Sequence, residues 1–155
     1  MSTFIWYDLM TPDVKAANAF YEHVVGWKIA DSGMPGMDYA IIKAGDTEVG
    51  GVMPVPPTSQ GMPPCWNGYI YSSDVDADAA KAETLGGKIF QPGMDIPGIG
   101  RFAVLADTSG ATFLIFKPNT SESPAPVAMG ANGHIGWREL MSLDWKRDWD
   151  FYHAM

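Results

Sequence analysis

The sequence predicts an α+β fold that is built from two β-α-β-β-β units. Segments with the period-two alternation of strands and segments with the apolar stripe of an amphipathic helix follow one another in this order twice. Asp13 and Val14 also recur as Asp74 and Val75, within a weak internal match at an offset of 61 positions. The chain of 155 residues can bury a sizeable core, and we place one domain at residues 1–118.

The first unit is predicted to span residues 4–54. Residues 4–10 alternate with a period of two and predict a strand, after which Thr11 is expected to cap a helix that Gly26 ends. The apolar residues of this helix recur every three or four positions and predict a buried stripe of Val14, Ala17, Tyr21 and Val24. Three further strands are predicted at residues 27–32, 38–43 and 47–53.

The second unit is predicted to span residues 65–118 and to repeat this order. A strand at 66–72 precedes a helix that Ser73 or Asp74 caps and that runs to Leu85. The stretch 92–100 is rich in proline and glycine, and we expect it to be a loop. The remaining strands are predicted at residues 88–91, 101–105 and 111–117, and linkers at 54–64 and 119–133.

The last part of the chain repeats its beginning. With Trp6 aligned to Trp137, an offset of 131 residues, the two stretches share seven identities in nineteen positions. The identical pairs are Trp6/Trp137, Leu9/Leu140, Met10/Met141, Asp13/Asp144, Lys15/Lys146, Phe20/Phe151 and Tyr21/Tyr152. Because one strand and part of a helix cannot bury a core alone, we expect residues 134–155 to begin a second, truncated domain. The alternative is that this tail packs as an added strand or helix on its own domain or on a neighbour.

The composition limits the partners and the compartment. Ten basic and eighteen acidic residues leave a net charge of −8, which argues against nucleic acid and anionic membranes as main partners. The only cysteine, Cys65, excludes an internal disulfide and a cysteine-based zinc cluster, and a reduced cytoplasmic compartment fits it. No apolar run approaches the roughly 20 residues of a membrane span.

Several motifs together resemble the vicinal oxygen chelate superfamily, whose members include glyoxalase I, bleomycin-resistance proteins and extradiol dioxygenases. They are D-x-x-x-A-x-x-F-Y…G-W from Asp13 to Trp27, the run GGVMPVPP, and the late D-x-x-G turn from Asp107 to Gly110. The likeness is greatest to a tandem, glyoxalase-like branch. It implies that the paired units form one cup-shaped mixed sheet with the helices outside and the site on the concave face. It also implies, as a partner, a second glyoxalase-like domain in the full-length chain or a homodimer.

Metal-dependent members of this superfamily hold a divalent ion with four residues, usually His, Gln or Glu, that face the cup. Counting from the motifs puts those positions at Trp6, Asn67, Leu114 and near Gly50-Gly51. None of these side chains suits a metal, since an indole nitrogen donates and Gly and Leu have no ligand atom. We therefore expect no metal or other cofactor; a divalent metal held elsewhere, by Asp8 with Glu48, is the less favoured alternative.

The remaining cup is expected to be an apolar, aromatic pocket for a small molecule. By strand alternation its residues are Trp6, Asp8, Asn67, Tyr69, Leu114 and Phe116. Asp8 is the most informative, because a buried carboxylate needs a partner; it could be a general base or bind a cation, or it could lie at the rim in water. Arg101 could pair with Asp8 or with an anionic ligand, and the alternative is a solvated arginine at a strand start.

Three hypotheses of function follow. The first is a protein that binds a small hydrophobic or aromatic molecule in the cup without the family metal. The second is an enzyme of the lyase, isomerase or dioxygenase type, which acts on a small organic substrate through Asp8 or an unrecognised divalent metal. The third is a structural role, in which the domain pairs with a catalytic second domain.

Overall fold

The structure, a computed structural model, describes residues 3–57, 61–120 and 130–155. The strands in these ranges are β1 (Phe4–Thr11), β2 (Lys28–Asp31), β3 (Ala40–Ala44), β4 (Thr47–Pro54), β5 (Cys65–Tyr71), β6 (Lys88–Ile96), β7 (Gly100–Ala106) and β8 (Thr112–Pro118). The helices are α1 (Val14–Val25), α2 (Val75–Thr84) and α3 (Trp145–Ala154). The predicted α+β class and the repeated β-α-β-β-β order are therefore confirmed. The predicted linkers lie partly outside the described residues, at 58–60 and 121–129.

Contacts divide the chain into two compact units. Of the described residues, the N-terminal unit comprises 6–57, 61–67 and 130–137, and the C-terminal unit comprises 3–5, 68–120 and 138–155. In the described part of each unit the helices lie on one face of the sheet. We call the opposite face of each sheet its helix-free face. None of the described helices combines the length and the apolar character needed to cross a bilayer.

The N-terminal unit has the strand order β2-β3-β4-β1. β1 and β4 are parallel, with Asp8 opposite Gly51, and the other pairs are antiparallel. The core between the sheet and α1 contains Leu9, Trp27, Ala40, Ile42 and Val52, against which Val14, Ala17 and Tyr21 of α1 pack. Because side chains alternate along a strand, Trp6, Asp8 and Met10 lie on the helix-free face of β1.

The ends of α1 follow local chemistry, with one correction. Asp13, not Thr11, is the N-cap, and its carboxylate accepts from the backbone N–H of Ala16 at 2.9 Å. Thr11 instead ends β1. Gly26 is the C-cap, as predicted, with a left-handed φ of 77°. Val24 is 60% exposed rather than buried, since at about 100° per residue it lies about 80° around the helix from Val14.

The C-terminal unit has the strand order β5-β8-β7-β6. β5 and β8 are parallel, and the other pairs are antiparallel. Asp74 caps α2, as one of the two predicted alternatives. The core under α2 and α3 contains Val75, Ala79, Ala82, Ala103, Leu105, Phe113, Ile115 and Phe151. The register then puts Tyr69, Phe102, Val104, Leu114 and Phe116 on the helix-free face.

Strand β6 is longer than predicted. It continues to Ile96 through Pro92 and Gly93, in the stretch that was expected to be a loop. The pairing with β7 shifts register between Ile89 and Gln91 and again between Gln91 and Met94. Proline is tolerated at bulges and on edge strands, and β6 lies last in the strand order. A pattern of prolines and glycines does not indicate such register shifts, and the stretch was therefore predicted to be a loop.

The tail differs from the expectation drawn from its repeat. Among residues 130–144 the structure has no strand, although the matching residues of β1 are paired with β4. The helix of the repeat is present as α3, and Asp144 caps it as Asp13 caps α1. Phe151 of α3 is 3% exposed in the core of the C-terminal unit. In this structure α3 therefore packs on the C-terminal unit, and that residues 134–155 begin a second domain stays a prediction.

Candidate functional site

Three side chains of the N-terminal unit form a hydrogen-bonded trio on the helix-free face of β1. The Trp6 indole Nε1 donates to Asp8 Oδ1 at 3.0 Å and to the Tyr39 hydroxyl at 2.8 Å. The Tyr39 hydroxyl in turn donates to Asp8 Oδ1 at 2.7 Å. Asp8 is 3% exposed, so the alternative that it lies at the rim in water is wrong.

A glycine makes room for this trio. Gly51 lies opposite Asp8 in the parallel β1–β4 pairing. A Cβ atom at Gly51 would overlap the hydroxyl and the ring of Tyr39. Tyr39 therefore fills the space that a side chain at position 51 would occupy, and only glycine permits this arrangement.

The protonation of Tyr39 is fixed by its surroundings. Burial and, next, the neighbouring Asp8 carboxylate raise the pKa of the Tyr39 hydroxyl well above its ordinary value. The hydroxyl is consequently protonated at neutral pH and acts as a donor. Together with Trp6, Tyr39 holds the Asp8 carboxylate in one orientation.

The helix-free face of the C-terminal unit is apolar and aromatic where the sequence placed site residues. The rings of Tyr69 and Phe116 meet edge to face, with their centroids 6.1 Å apart. Leu114, opposite Tyr69 in the β5–β8 register, is 2% exposed. A Cβ at Gly100 would lie 2.6 Å from the Phe116 ring, so this glycine allows the ring its position.

Asn67 is also largely buried, at 6% exposure. It lies two residues before Tyr69 on β5, and its amide Nδ2 is 3.6 Å from the Cys65 sulfur. Its amide can orient a ligand by hydrogen bonds. It stays a candidate ligand-binding residue.

Arg101 does not belong to the helix-free face. On β7 it pairs in register with Lys117, and its neighbours of the same parity pack against α2. Its guanidinium binds Asp76 of α2 at 2.9 Å and Asp95 of β6 at 3.0 Å. Arg101 therefore pairs with Asp76 and Asp95 rather than with Asp8, and that it binds an anionic ligand stays a prediction.

The residues at the four counted positions do not suit the superfamily's metal. Trp6 offers an N–H group, Leu114 offers no polar atom and Gly51 has no side chain, so only the amide oxygen of Asn67 could ligate, and one such ligand does not make a site. Glu48, the other carboxylate considered, pairs with Lys43 at 3.1 Å. Within residues 3–57, 61–120 and 130–155, no three His, Cys, Asp or Glu side chains are grouped so that they could hold a metal ion.

Tyr39 is the site residue that the sequence analysis missed. A strand that includes Tyr39 was predicted. Whether Tyr39 lies on the same face as Gly51, however, depends on a register shift between Ile42 and Lys43 in the β3–β4 pairing. Without that shift a hairpin turning at Gly45-Asp46 puts Tyr39 on the other face relative to Gly51. The one available signal was the glycine pair Gly50-Gly51 in a strand, which often marks a close approach.

Comparisons with known proteins agree with this fold. A family model described as "Bleomycin resistance protein-like N-terminal" matches residues 3–45. The protein named "Putative glyoxylase CFP32" of Mycobacterium tuberculosis is 46% identical over 119 residues, covering 75% of this chain and 44% of that protein. The anthracycline biosynthesis protein DauV of Streptomyces sp. (strain C5) is 35% identical over 164 residues, covering 96% of this chain and 58% of that protein. The chain thus spans about half the length of these relatives.

A solved structure shows the same fold. Methylmalonyl-CoA epimerase from Mycobacterium tuberculosis has a TM-score of 0.57 and 14% identity, over 76% of this chain and 88% of the epimerase. At so low an identity the likeness concerns the fold alone. The family model, the sequence relatives and the shared fold agree with the resemblance seen in the motifs and support the vicinal oxygen chelate superfamily, with glyoxalase-like proteins among the relatives.

Proposed function

We propose that this glyoxalase-like protein binds a small hydrophobic or aromatic molecule on the helix-free sheet faces, without the superfamily's metal. The observation that carries the proposal is the Tyr39 hydroxyl, which fills the space beside Gly51 and is bonded to Asp8 and Trp6. Where a metal-dependent member would need a ligand near position 51, this chain has the ring and hydroxyl of Tyr39 instead.

The chemistry of both faces supports an aromatic ligand. Apolar walls with a few fixed polar groups are typical of small-molecule sites. Trp6 and Asp8 supply a ring and an oriented carboxylate in one unit. Tyr69, Leu114 and Phe116 supply an apolar surface in the other. Asn67 adds an amide that can orient a ligand.

The relatives suggest which compounds to try first. One is named a glyoxylase and another an anthracycline biosynthesis protein. These names concern those proteins, but they favour small carbonyl compounds and polycyclic aromatic compounds as probes. We expect the aromatic probes to bind, because the walls are aromatic and apolar.

Isothermal titration calorimetry with these two probe sets tests the proposal. We expect at least one aromatic probe to bind with a stoichiometry of one per chain, and Phe116→Ala to weaken this binding. Val24→Ala, at an exposed position of α1, serves as the control and should leave it unchanged. Absence of binding by every probe, with the fold intact by circular dichroism, contradicts the proposal.

The alternative is an enzyme that acts on a small organic substrate through Asp8 or through a divalent metal not recognised here. The observation that favours it is the buried Asp8 carboxylate, held in one orientation by two donors. Elemental analysis of the purified protein and turnover of the carbonyl probes discriminate the two functions. A stoichiometric transition metal, with activity that Asp8→Asn abolishes, favours the enzyme and contradicts the metal-free proposal.

We also propose a cytoplasmic location, for which the single cysteine, Cys65, is the support. The partner is a second glyoxalase-like domain or a second copy of this chain.

A further inference from the structure

The side of α1 that faces away from its sheet is apolar. We call the five exposed residues on this side the outer face of α1: Ala16, Ala19, Phe20, His23 and Val24. Phe20 is 56% exposed and Val24 is 60% exposed, and none of the five residues is an aspartate, glutamate, lysine or arginine. The opposite side of α1 packs against the core of the N-terminal unit. A helix that is apolar on both sides is normally buried on both.

The corresponding helix of the second unit has polar residues at these positions. At the offset of 61 residues, Phe20 aligns with Lys81 and His23 aligns with Thr84, and both of these α2 residues are exposed. A β-α-β-β-β unit therefore does not need an apolar outer face for its own folding. An exposed phenylalanine where the other unit has a lysine indicates a further contact for α1.

The repeat at the end of the chain shows the same phenylalanine covered by a second surface. At the offset of 131 residues, Phe20 aligns with Phe151, which is 3% exposed in the core of the C-terminal unit. That place is taken by α3 in every copy of this chain. Moreover, α1 has Ala17 where α3 has Asp148, the carboxylate that accepts hydrogen bonds from the β7–β8 turn. A different surface is therefore needed to cover Phe20.

An aromatic cluster fixes α1 on its sheet. The Tyr21 ring stacks on Trp27 and meets Trp66 edge to face, with ring centroids 5.4 Å apart in both pairs. The Trp66 indole Nε1 donates to the Tyr21 hydroxyl at 3.0 Å. Asp13 and Gly26 fix the two ends of the helix. The outer face is thus formed before a partner binds, which lowers the entropic cost of association.

The charged residues of α1 make this helix complementary to a second copy of itself. Lys15 and Glu22 are both exposed, and a separation of seven residues puts them on the same side of the helix, at one border of the outer face. When two copies of α1 pack antiparallel about a two-fold axis, each Lys15 lies beside the partner's Glu22. Parallel packing instead brings like charges together. Ala16 and Ala19 are small and leave room for the partner's Phe20.

We propose that the outer face of α1 is a dimer interface of this chain, in which the two α1 helices pack antiparallel about a two-fold axis. One helix face buries less than the roughly 1,600 Å² of a standard interface, so we expect a weak dimer with a dissociation constant in the micromolar range. The helix lies on the opposite side of its sheet from Trp6 and Asp8. Dimer formation is therefore independent of ligand binding on the helix-free faces.

Sedimentation velocity of the 155-residue chain tests this proposal. Between about 1 µM and about 1 mM protein we expect the fraction of dimer to rise. Phe20→Lys, which introduces the residue type of α2 at the matching position, should raise the dissociation constant at least about tenfold. Phe90→Lys is the matched control, because Phe90 is 59% exposed on β6 and lies outside α1; it should leave the dissociation constant unchanged.

Charge variants test the antiparallel arrangement. Lys15→Glu and Glu22→Lys should each weaken the dimer, because each brings like charges together, whereas the variant with both substitutions should recover it. A mixture of the two single variants should form a heterodimer that is tighter than either homodimer. Circular dichroism verifies that each variant is folded. A chain that stays monomeric at about 1 mM overturns the proposal. A dimer that Phe20→Lys and the charge variants leave intact also overturns it, because its interface then lies elsewhere.

Discussion

The Tyr39 hydroxyl donates a 2.7 Å hydrogen bond to the Asp8 carboxylate, joining residues 31 positions apart in the sequence. Asp8 lies on β1, and Tyr39 lies immediately before β3. The bond is possible because Gly51, opposite Asp8, leaves the ring its place. The polar part of the candidate site is thus assembled from β1 and from the residue that precedes β3, while β4 provides the space for the ring.

We predict that Tyr39→Phe destabilises the protein. The substitution removes a hydrogen-bond donor to a nearly buried carboxylate, and such a loss costs about 1–3 kcal/mol in the free energy of unfolding. Urea unfolding measures the change. Tyr71→Phe, at a tyrosine that is 39% exposed, is the control and should stay within about 0.5 kcal/mol of the unsubstituted protein. Equal effects of the two variants would show that the Tyr39–Asp8 bond contributes little.

Gly51→Ala should destabilise through a clash with Tyr39, by about 1–3 kcal/mol. The matched control is Gly136→Ala, since an added Cβ at Gly136 meets no atom within 4 Å. In a Tyr39→Ala background the cost of Gly51→Ala should fall, because the ring that it meets is gone. A cost that is the same in both backgrounds would place the clash elsewhere.

Arg101→Gln should leave the affinity for an aromatic probe unchanged. Its guanidinium binds Asp76 and Asp95 on the helix-covered side of β7, so it does not reach the proposed ligand surface. Exposed ion pairs of this kind contribute about 0–1 kcal/mol, and stability should change little. Phe116→Ala, on the other face, should weaken the binding measured by calorimetry. Loss of affinity in Arg101→Gln would show that Arg101 contributes to ligand binding.

Asp148→Asn should loosen α3. Three hydroxyls donate to the Asp148 carboxylate, and an amide has one acceptor oxygen in place of two. We expect faster amide exchange throughout residues 145–154 and little change in α2. Asp150→Asn, at an exposed position of the same helix, is the matched control. If both variants exchange alike, the carboxylate is not what holds the helix.

Acid should release α3 through the same carboxylate. Hydrogen bonds from Ser109, Ser142 and Thr108 lower the pKa of Asp148 from 3.8 to about 2. Between these two values the unfolded chain binds more protons than the folded chain, so the contribution of Asp148 is present above pH 3.8 and is lost as the pH falls towards 2. Exchange in α3 should rise over this range, and Asp148→Asn should lack that rise. If amide exchange in α3 keeps its full pH dependence in Asp148→Asn, another carboxylate is responsible for it.

Much of the fold could be predicted because its signals are local. The period of apolar residues distinguishes strands from helices within a dozen residues, and Asp74 and Gly26 end their helices by contacts a few positions away. Trp6, Asp8 and Leu114 were singled out in the same way, from alternation along single strands. Thr11, the wrongly predicted cap, lies only two residues before the true cap, Asp13.

The sequence by itself determined the order of the elements, the repeat at the end of the chain and the residue types that do not suit a metal. Only the tertiary structure decided that Tyr39 joins Asp8, that Arg101 faces α2, and that the tail forms a helix without its strand. Each of these outcomes depends on a partner distant in sequence: a register shift in the β3–β4 pairing, an acidic helix beside β7, and the core of the C-terminal unit into which Phe151 of α3 packs. Local patterns carry no record of such partners, because strand pairing and burial are properties of two segments together.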